Sequence, residues 1–283
     1  MAVISEPVDR AARAVRPPSG ALRLLEAAWL PVEAAGYLAM RPVLHGIGRG
    51  DLHPVLILPG FTADDDSTGL LRATLRANGF YAHAWKLGRN LGPTERVVTG
   101  MRQRLDELHQ QHERPVSLIG QSLGGIYARL LARENPAAVR QVITLGSPYR
   151  MVQGDRSSVQ RVWERVEHLH TGDLPIAKMR EEDRPPLEVP ATSIYSRSDG
   201  VAPWQTCIDV VAEQAENIEV RGSHIGMTIN PSVVIAILDR LSQPADDWRP
   251  FAPPLGLRSW YPRPASWRER RSSRRSSRAT AGA

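Results

Sequence analysis

A serine between two glycines, directly behind a short apolar segment, is the feature that most constrains the fold of this chain. Residues 120–124 read Gly-Gln-Ser-Leu-Gly, and the preceding residues 115–119 read Pro-Val-Ser-Leu-Ile. The apolar segment is typical of a buried strand, whereas residues 123–134 place leucine and isoleucine at helical spacing. This order predicts a nucleophile elbow, a strained turn that exposes the oxygen of Ser122 at the N-terminus of a helix.

Short apolar segments alternate with helical segments on both sides of this turn. The expected strands cover residues 55–58, 80–87, 115–119, 139–145, 191–195 and 217–220, and the expected helices cover residues 69–77, 94–113, 123–134 and 231–242. Strands without a polar face are typical of parallel strands that are covered on both sides. The alternation therefore predicts an α/β fold, with a doubly wound, mostly parallel sheet and right-handed crossovers.

One segment interrupts this alternation with a long stretch that lacks a strand pattern. It covers about residues 149–187, and within it Val159, Trp163 and Val166 share one helical face. We expect a helical cap insertion over the C-terminal edge of the sheet, where ligands bind in folds of this kind. The cap could simply pack on the core, or it could wall a pocket for an acyl chain and move as a lid.

The segments outside the α/β domain have different compositions. We expect a flexible N-terminus at residues 1–20, a helical segment at 21–50, the α/β domain at 51–250 and a disordered tail, rich in Pro, Arg and Ser, at 251–283. Residues 258–283 hold eight arginines and one glutamate, which gives them a formal charge of +7. Because the whole chain has a formal net charge of +6, residues 1–257 together carry −1. Such a tail favours solubility, and the alternative is a weak contact with an anionic lipid surface or with nucleic acid.

Residues 21–44 form the most apolar stretch near the N-terminus. Charged residues interrupt it and Pro31 is expected to kink it, so we do not expect a transmembrane span. One interpretation is an amphipathic helical pair that packs on the domain. The alternative is a peripheral membrane patch around Trp29, Tyr37 and Leu38. The single cysteine and the absence of a secretory pattern at residues 1–20 favour a cytoplasmic protein.

A serine hydroxyl needs a base to become nucleophilic, and the base needs a carboxylate to orient it. His224 lies in a Gly-Ser-His-Ile-Gly loop at 222–226, and Asp199 directly follows the strand expected at 191–195. The chain order of Ser122, Asp199 and His224 is that of the hydrolases built on a nucleophile elbow. These three residues are therefore the predicted catalytic triad.

Hydrolysis also requires hydrogen-bond donors for the oxyanion that develops on the substrate. One expected donor is the backbone N–H of Leu123, which follows the nucleophile. The other is the N–H of Phe61, in the Pro-Gly-Phe-Thr loop that follows the first strand. No metal-ligand spacing, phosphate-binding loop or dinucleotide-binding pattern is present, so we expect chemistry without a cofactor or a metal ion.

These segments resemble the α/β-hydrolase superfamily, and within it bacterial lipases and esterases. The matching segments are Leu-Pro-Gly-Phe at 58–61, Gly-Gln-Ser-Leu-Gly-Gly at 120–125, Thr-Leu-Gly-Ser-Pro at 144–148, Ser-Asp-Gly-Val at 198–201 and Ser-His at 223–224. The resemblance covers about residues 54–242. It implies the α/β-hydrolase fold and a serine hydrolase that acts on carboxylic esters.

The predicted substrate is a small-molecule or lipid ester, with Gln121, Trp163, Val201 and Ile225 as candidate pocket residues. We do not expect specific binding of nucleic acid. Two other functions remain open on the same sequence. One is an acyltransferase that uses the same triad, and the other is a binding protein that keeps the fold without catalysis.

Overall fold

A parallel six-stranded sheet forms the centre of the computed structural model, which describes residues 6–8, 15–151, 155–171 and 184–267. The strands are β1 (Glu6–Val8), β2 (Pro54–Leu58), β3 (Tyr81–Ala84), β4 (Val116–Gln121), β5 (Val139–Leu145), β6 (Ala191–Ser196), β7 (Ala215–Val220) and β8 (Ala265–Trp267). The helices are α1 (Gly20–Leu44), α2 (Gly69–Ala77), α3 (Glu95–His112), α4 (Leu123–Glu134), α5 (Gln160–Val166) and α6 (Pro231–Leu241). The large sheet has the order β3-β2-β4-β5-β6-β7, with every neighbouring pair parallel.

Helices cover both faces of this sheet. Side chains alternate along β2, so Val55 and Ile57 belong to an apolar cluster with α1, α2 and α6. Leu56 and Leu58 belong to a second cluster with α3 and α4. All four side chains are buried, as expected for a parallel strand between two helical layers. The structure therefore confirms the predicted α/β fold with a doubly wound parallel sheet.

Most predicted boundaries around the elbow agree with the structure, but β3 is shorter than the predicted strand at 80–87. It ends at Ala84 because the following residues turn toward a carboxylate. The backbone N–H groups of Trp85 and Lys86 donate to Asp65 at 3.0 Å and 3.1 Å. Lys86 has a φ of 62°, a left-handed conformation that a strand cannot continue through.

The predicted pair of N-terminal helices is wrong, because α1 is one helix that continues through Pro31 and Pro42. Its start is capped by Ser19, whose hydroxyl accepts the backbone N–H of Leu22 at 3.3 Å. A proline removes one internal hydrogen bond and crowds the preceding turn. Contacts with the domain on both sides of Pro31, at Glu26 and Glu33, hold the two halves in one helix.

The outward face of α1 is apolar, but it does not match the predicted membrane patch. Tyr37 is buried, and its hydroxyl bonds Thr74 Oγ1 at 2.6 Å, while Trp29 is half-buried. Leu38 is exposed. No helix among the described residues combines the length and the apolar character needed to cross a bilayer.

Parts of the segments predicted as a flexible N-terminus at 1–20 and a disordered tail at 251–283 have ordered contacts in the described residues. β1 pairs in parallel with β8, and the N–H of Val15 donates to Asp155 at 2.7 Å. Tyr261 is buried and donates its hydroxyl to Ser232 O at 2.9 Å. Residues 268–283, with most of the predicted positive charge, lie outside the described residues.

The predicted cap is described only in part, because residues 152–154 and 172–183 lie outside the described ranges. Its described helix, α5, is followed by a 3₁₀ turn at Glu167–Leu169. Before α5, the N–H of Ser158 donates to Val201 O at 2.9 Å and its hydroxyl donates to Gly200 O at 2.7 Å. These bonds join the cap to the loop that follows β6.

The close approach of β4 and α4 makes a stability prediction. A methyl group on Gly120 would lie 2.3 Å from Gly124 O, whereas one on Gly69 would meet only the flexible end of Arg72, at 3.8 Å. We expect Gly120→Ala to lower the free energy of unfolding by about 1–3 kcal/mol, because backbone would have to move. Gly69→Ala should cause no such loss. Urea unfolding of both variants tests this, and equal stabilities would show that the turn can adapt.

Candidate active site

Ser122 occupies a strained turn between β4 and α4. Its φ is 51° and its ψ is −118°, and its N–H donates to Leu145 O at 2.8 Å. A side chain on Gly124 would lie 2.2 Å from Leu58 O, so backbone contacts backbone on both sides of the serine. The side chain of Ser122 is half-buried. This is the geometry predicted for a nucleophile elbow.

Asp199 and His224 form a buried pair at the same edge of the sheet. Asp199 Oδ1 accepts the N–H groups of Val201 and Ala202 at 2.8 Å and 2.7 Å. Its Oδ2 lies 2.6 Å from His224 Nδ1. The two amides fix the carboxylate, and the carboxylate fixes the tautomer in which Nε2 is the free base.

The electrostatic surroundings favour the protonated imidazole of His224. Burial lowers its pKa, but the charge of Asp199, the hydrogen bond to Asp199 and the charge of Glu26 together raise the pKa above its ordinary value of 6.5. An imidazolium formed during proton transfer is therefore stabilised where it would develop.

The serine and the Asp–His pair are held to each other through neighbouring backbone. The turn after β5 contains Gly146, with a φ of 54°, and a methyl group there would lie 3.1 Å from both Asp199 Oδ2 and His224 Nδ1. Gln121, next to the serine, donates its amide to His224 O at 3.0 Å. In the described part of the chain, Ser122 Oγ and His224 form no hydrogen bond with each other, and such bonds are often long in a site without substrate.

One predicted oxyanion donor directly follows Ser122, and the loop that carries the other approaches the Ser122 side chain. Leu123 is the first residue of α4, so its N–H has no acceptor within the helix. The other donor belongs to the loop after β2, where a methyl group on Gly60 would lie 3.3 Å from Ser122 Cβ. That loop is fixed by two bonds, from Thr62 N–H to Asn90 O at 2.7 Å and from the next N–H to Gly60 O at 3.1 Å.

The four candidate pocket residues have different surroundings. Trp163 packs on the Phe61 ring, with ring centroids 5.3 Å apart, so the cap helix contacts the predicted oxyanion loop. Ile225 is 55% exposed beside His224, and Val201 lies beside Asp199. Gln121, however, is buried with its amide bound to the His224 loop, which is a positioning contact rather than a pocket wall.

Two residues at this site were not identified by the sequence analysis. Glu26 and Glu33 of α1 accept backbone N–H groups from the loops that carry Asp199 and His224. The sequence analysis treated them only as charges that interrupt an apolar stretch. Their spacing of seven residues places them on one face of a helix, and that was the available signal.

A second Asp-His-Ser chain lies at the opposite edge of the sheet. His53 Nδ1 bonds the carboxylate of Asp51, and His53 Nε2 lies 2.9 Å from Ser117 Oγ. His53 and Ser117 are completely buried. Ser117 lies within β4 rather than on a turn, so no substrate can reach its hydroxyl. This second set joins the start of β2 to β4 and has no open face for chemistry.

No protein-family model matches the sequence, and no curated protein matches it. Solved structures do match. The match to Aspergillus fumigatus lipase B has a TM-score of 0.52 and 15% identity, and covers 68% of this chain and 52% of that chain. The match to a Paleococcus ferrophilus monoacylglycerol lipase has a TM-score of 0.49 and 13% identity, and covers 68% and 96%.

The match to lipase B and the parallel sheet show that the chain has the α/β-hydrolase fold. At such low identity the match shows the fold alone. The described ranges contain no cluster of three or more His, Cys, Asp or Glu side chains that could hold a metal ion.

The buried His53 predicts how stability depends on pH. Burial lowers its pKa to about 4, although the hydrogen bond with Asp51 acts in the opposite direction. Between pH 6.5 and 4 the unfolded chain therefore binds more protons, so the free energy of unfolding should fall as the pH falls through this range. We expect His53→Gln to have a lower free energy of unfolding at pH 7 than the wild-type protein. That free energy should also fall less steeply in the variant as the pH is lowered from 6.5 to 4. Some loss should remain, because burial also lowers the pKa of His83 to about 4.

Chemical unfolding at several pH values measures this slope. Equal slopes for the wild-type protein and the variant would show that His53 does not carry the effect.

Proposed function

We propose that this protein is a serine hydrolase that cleaves carboxylic esters through an acyl-enzyme on Ser122. The observation that carries the proposal is the buried Asp199–His224 pair, 2.6 Å apart, at the sheet edge where the strained serine turn lies. A serine on such a turn is a weak nucleophile unless an oriented imidazole accepts its proton. The shared fold with a lipase supports the same class of chemistry.

The proposed reaction begins when Ser122 Oγ attacks the ester carbonyl carbon and His224 Nε2 accepts the hydroxyl proton. The carbonyl electron pair moves onto its oxygen, which the N–H groups of Leu123 and Phe61 stabilise. The C–O bond to the alcohol then breaks, and His224 returns the proton to the leaving alcohol. Water then attacks the acyl carbon while His224 Nε2 accepts a proton from it. The bond between the acyl carbon and Ser122 Oγ breaks, His224 returns the proton to Oγ, and the acid leaves, while Asp199 stays ionised throughout.

The substrate class follows from the side chains around the serine. Phe61 and Trp163 pack together on the cap side, and Ile225 is exposed beside the base. These apolar groups, with a body of formal charge −1 outside the basic tail, favour an uncharged ester with a medium or long acyl chain. A role in lipid metabolism is consistent with that chemistry. The single buried Cys207 is compatible with a reducing, cytoplasmic location.

One measurement distinguishes the hydrolase from the two alternatives, an acyltransferase and a binding protein without catalysis. A series of nitrophenyl esters of increasing chain length, with and without an acceptor alcohol, separates them. Release of free acid supports hydrolysis, and transfer to the alcohol supports an acyltransferase. A folded protein with neither activity would be a binding protein that retains the fold.

Labelling by a fluorophosphonate probe tests the nucleophile. We expect the wild-type protein to be labelled and Ser122→Ala to lose labelling completely. Ser117→Ala is the matched control, because it removes a serine from the buried Asp-His-Ser chain. It should keep the label. Failure to label the folded wild-type protein would rule out the proposal. Loss of labelling in Ser117→Ala alone would show that Ser117, and not Ser122, is the nucleophile.

The role of Asp199 predicts a large kinetic effect. Asp199→Asn cannot stabilise the imidazolium and favours the wrong tautomer of His224, so we expect kcat to fall by about 10⁴-fold. Circular dichroism should show an unchanged fold. Turnover of a nitrophenyl ester measures the effect, and a rate near that of the wild-type protein would mean that another carboxylate is the acid.

A further inference from the structure

The inward face of α1 buries two glutamates beside Tyr37 and Leu44, whereas its exposed face carries several large apolar side chains. Glu26 and Glu33 are 6% and 3% exposed. The exposed face carries Leu24, Leu25, Leu30, Val32, Leu38 and Val43. Burial of a carboxylate is costly unless hydrogen bonds replace its water. The groups that these two glutamates bind therefore explain why this face of the helix lies inside.

Glu26 joins the loops that carry the proposed acid and base. Its Oε1 accepts the N–H of Gly200 at 2.7 Å and the N–H of His224 at 2.9 Å. Its Oε2 accepts the N–H of Ile225 at 3.1 Å. Gly200 directly follows Asp199, so one carboxylate bonds the backbone beside both members of the Asp–His pair.

Glu33 holds the same base loop one residue earlier. Its Oε1 accepts the N–H of Ser223 at 2.9 Å and the amide of Asn230 at 3.0 Å. Its Oε2 accepts the hydroxyl of Ser223. The loop between β7 and α6 is thus bonded to α1 at three consecutive residues, 223–225.

We propose that α1 is part of the active site and that Glu26 is a positioning residue, which fixes the acid loop against the base loop and adds negative charge beside the imidazole. Glu33 fixes the base loop from the same face of the helix, about two turns further along. The expected effect of Glu26 on turnover rests on the proposed hydrolase function. Its expected effect on the pKa of His224 does not depend on that function.

The charges around His224 come from two elements. Asp199 contacts the ring from the loop after β6, and from α1 Glu26 accepts the backbone N–H of His224 while Glu33 accepts that of Ser223. Cys207 lies near Asp199, but burial raises the pKa of its thiol, so it stays neutral. Among the described residues that raise the pKa of His224, Glu26 is the one outside the proposed triad.

Glu26→Gln removes the negative charge and keeps one oxygen, which can still accept from Gly200 and His224. The amide nitrogen cannot accept the N–H of Ile225, so one of the three hydrogen bonds is lost with the charge. The matched control is Glu216→Gln, which neutralises a glutamate of similar burial in β7, bound to Arg240 at 2.8 Å. The pKa of His224 is read by NMR titration of its imidazole, and kcat/KM for a nitrophenyl ester is measured against pH.

In Glu26→Gln we expect a lower pKa of His224 and a rising limb of kcat/KM that moves to lower pH by the same amount. kcat should fall at least several-fold, with little change in KM. Glu216→Gln should leave both profiles as in the wild-type protein. Wild-type values of the pKa and of kcat in Glu26→Gln would overturn the inference.

A second variant covers the case in which Glu26→Gln does not fold. Glu26→Asp keeps the charge but is one methylene shorter, so it should keep a raised pKa of His224 and lose turnover. Wild-type kcat in Glu26→Asp would then show that Glu26 serves folding only and would overturn the inference. If the wild-type protein hydrolyses no ester, the proposed function fails, while the NMR titration still decides on Glu26.

Discussion

Backbone contacts backbone where β4 turns into α4, and the geometry of the site depends on that contact. Gly120 lies against the amide plane of Gly124, and Gly124 lies against the carbonyl of Leu58. A side chain at either position would separate the helix from the strand. The same contact that strains Ser122 therefore also brings the end of β2 to the serine, and the proposed oxyanion loop begins there. One packing constraint therefore positions both the proposed nucleophile and the loop of a proposed oxyanion donor.

The two Asp-His-Ser sets show what distinguishes a site for chemistry from a structural network. In both sets an imidazole bonds a carboxylate. The other ring nitrogen of His53 also bonds Ser117 Oγ, whereas among the described residues His224 and Ser122 share one end of the sheet without a hydrogen bond between them. Near the N-terminal end of β4, Ser117 lies in a regular strand and is completely buried. Beyond the C-terminal end of β4, Ser122 has a positive φ, borders a helix N-terminus and is half-buried. Residue types alone do not separate the two sets, whereas backbone conformation and access do.

The sequence predicted the features whose signals are local. The helix at 123–134, the strand at 139–145 and the doubly wound sheet follow from periodicity and agree with the structure. The pairing of Asp199 with His224 could be anticipated because both follow strands of one parallel sheet. The role of Glu26 could not, because its partners lie 174 to 199 positions away in the chain. Composition does not reveal the contacts of residues 251–267 either, because the buried Tyr261 is one of the aromatic side chains in a segment that also holds four prolines.

The buried glutamates of α1 determine how much of the chain the proposed site requires. A fragment that starts at β2 would retain the six-stranded sheet and all three residues of the proposed triad. It would nevertheless leave the amides of Gly200 and His224 without their buried acceptor. The domain predicted at 51–250 omits this helix. A fragment with those borders would also lose Tyr37 and Leu44 from the apolar cluster on one face of the sheet, so both its stability and the geometry of the proposed site would change.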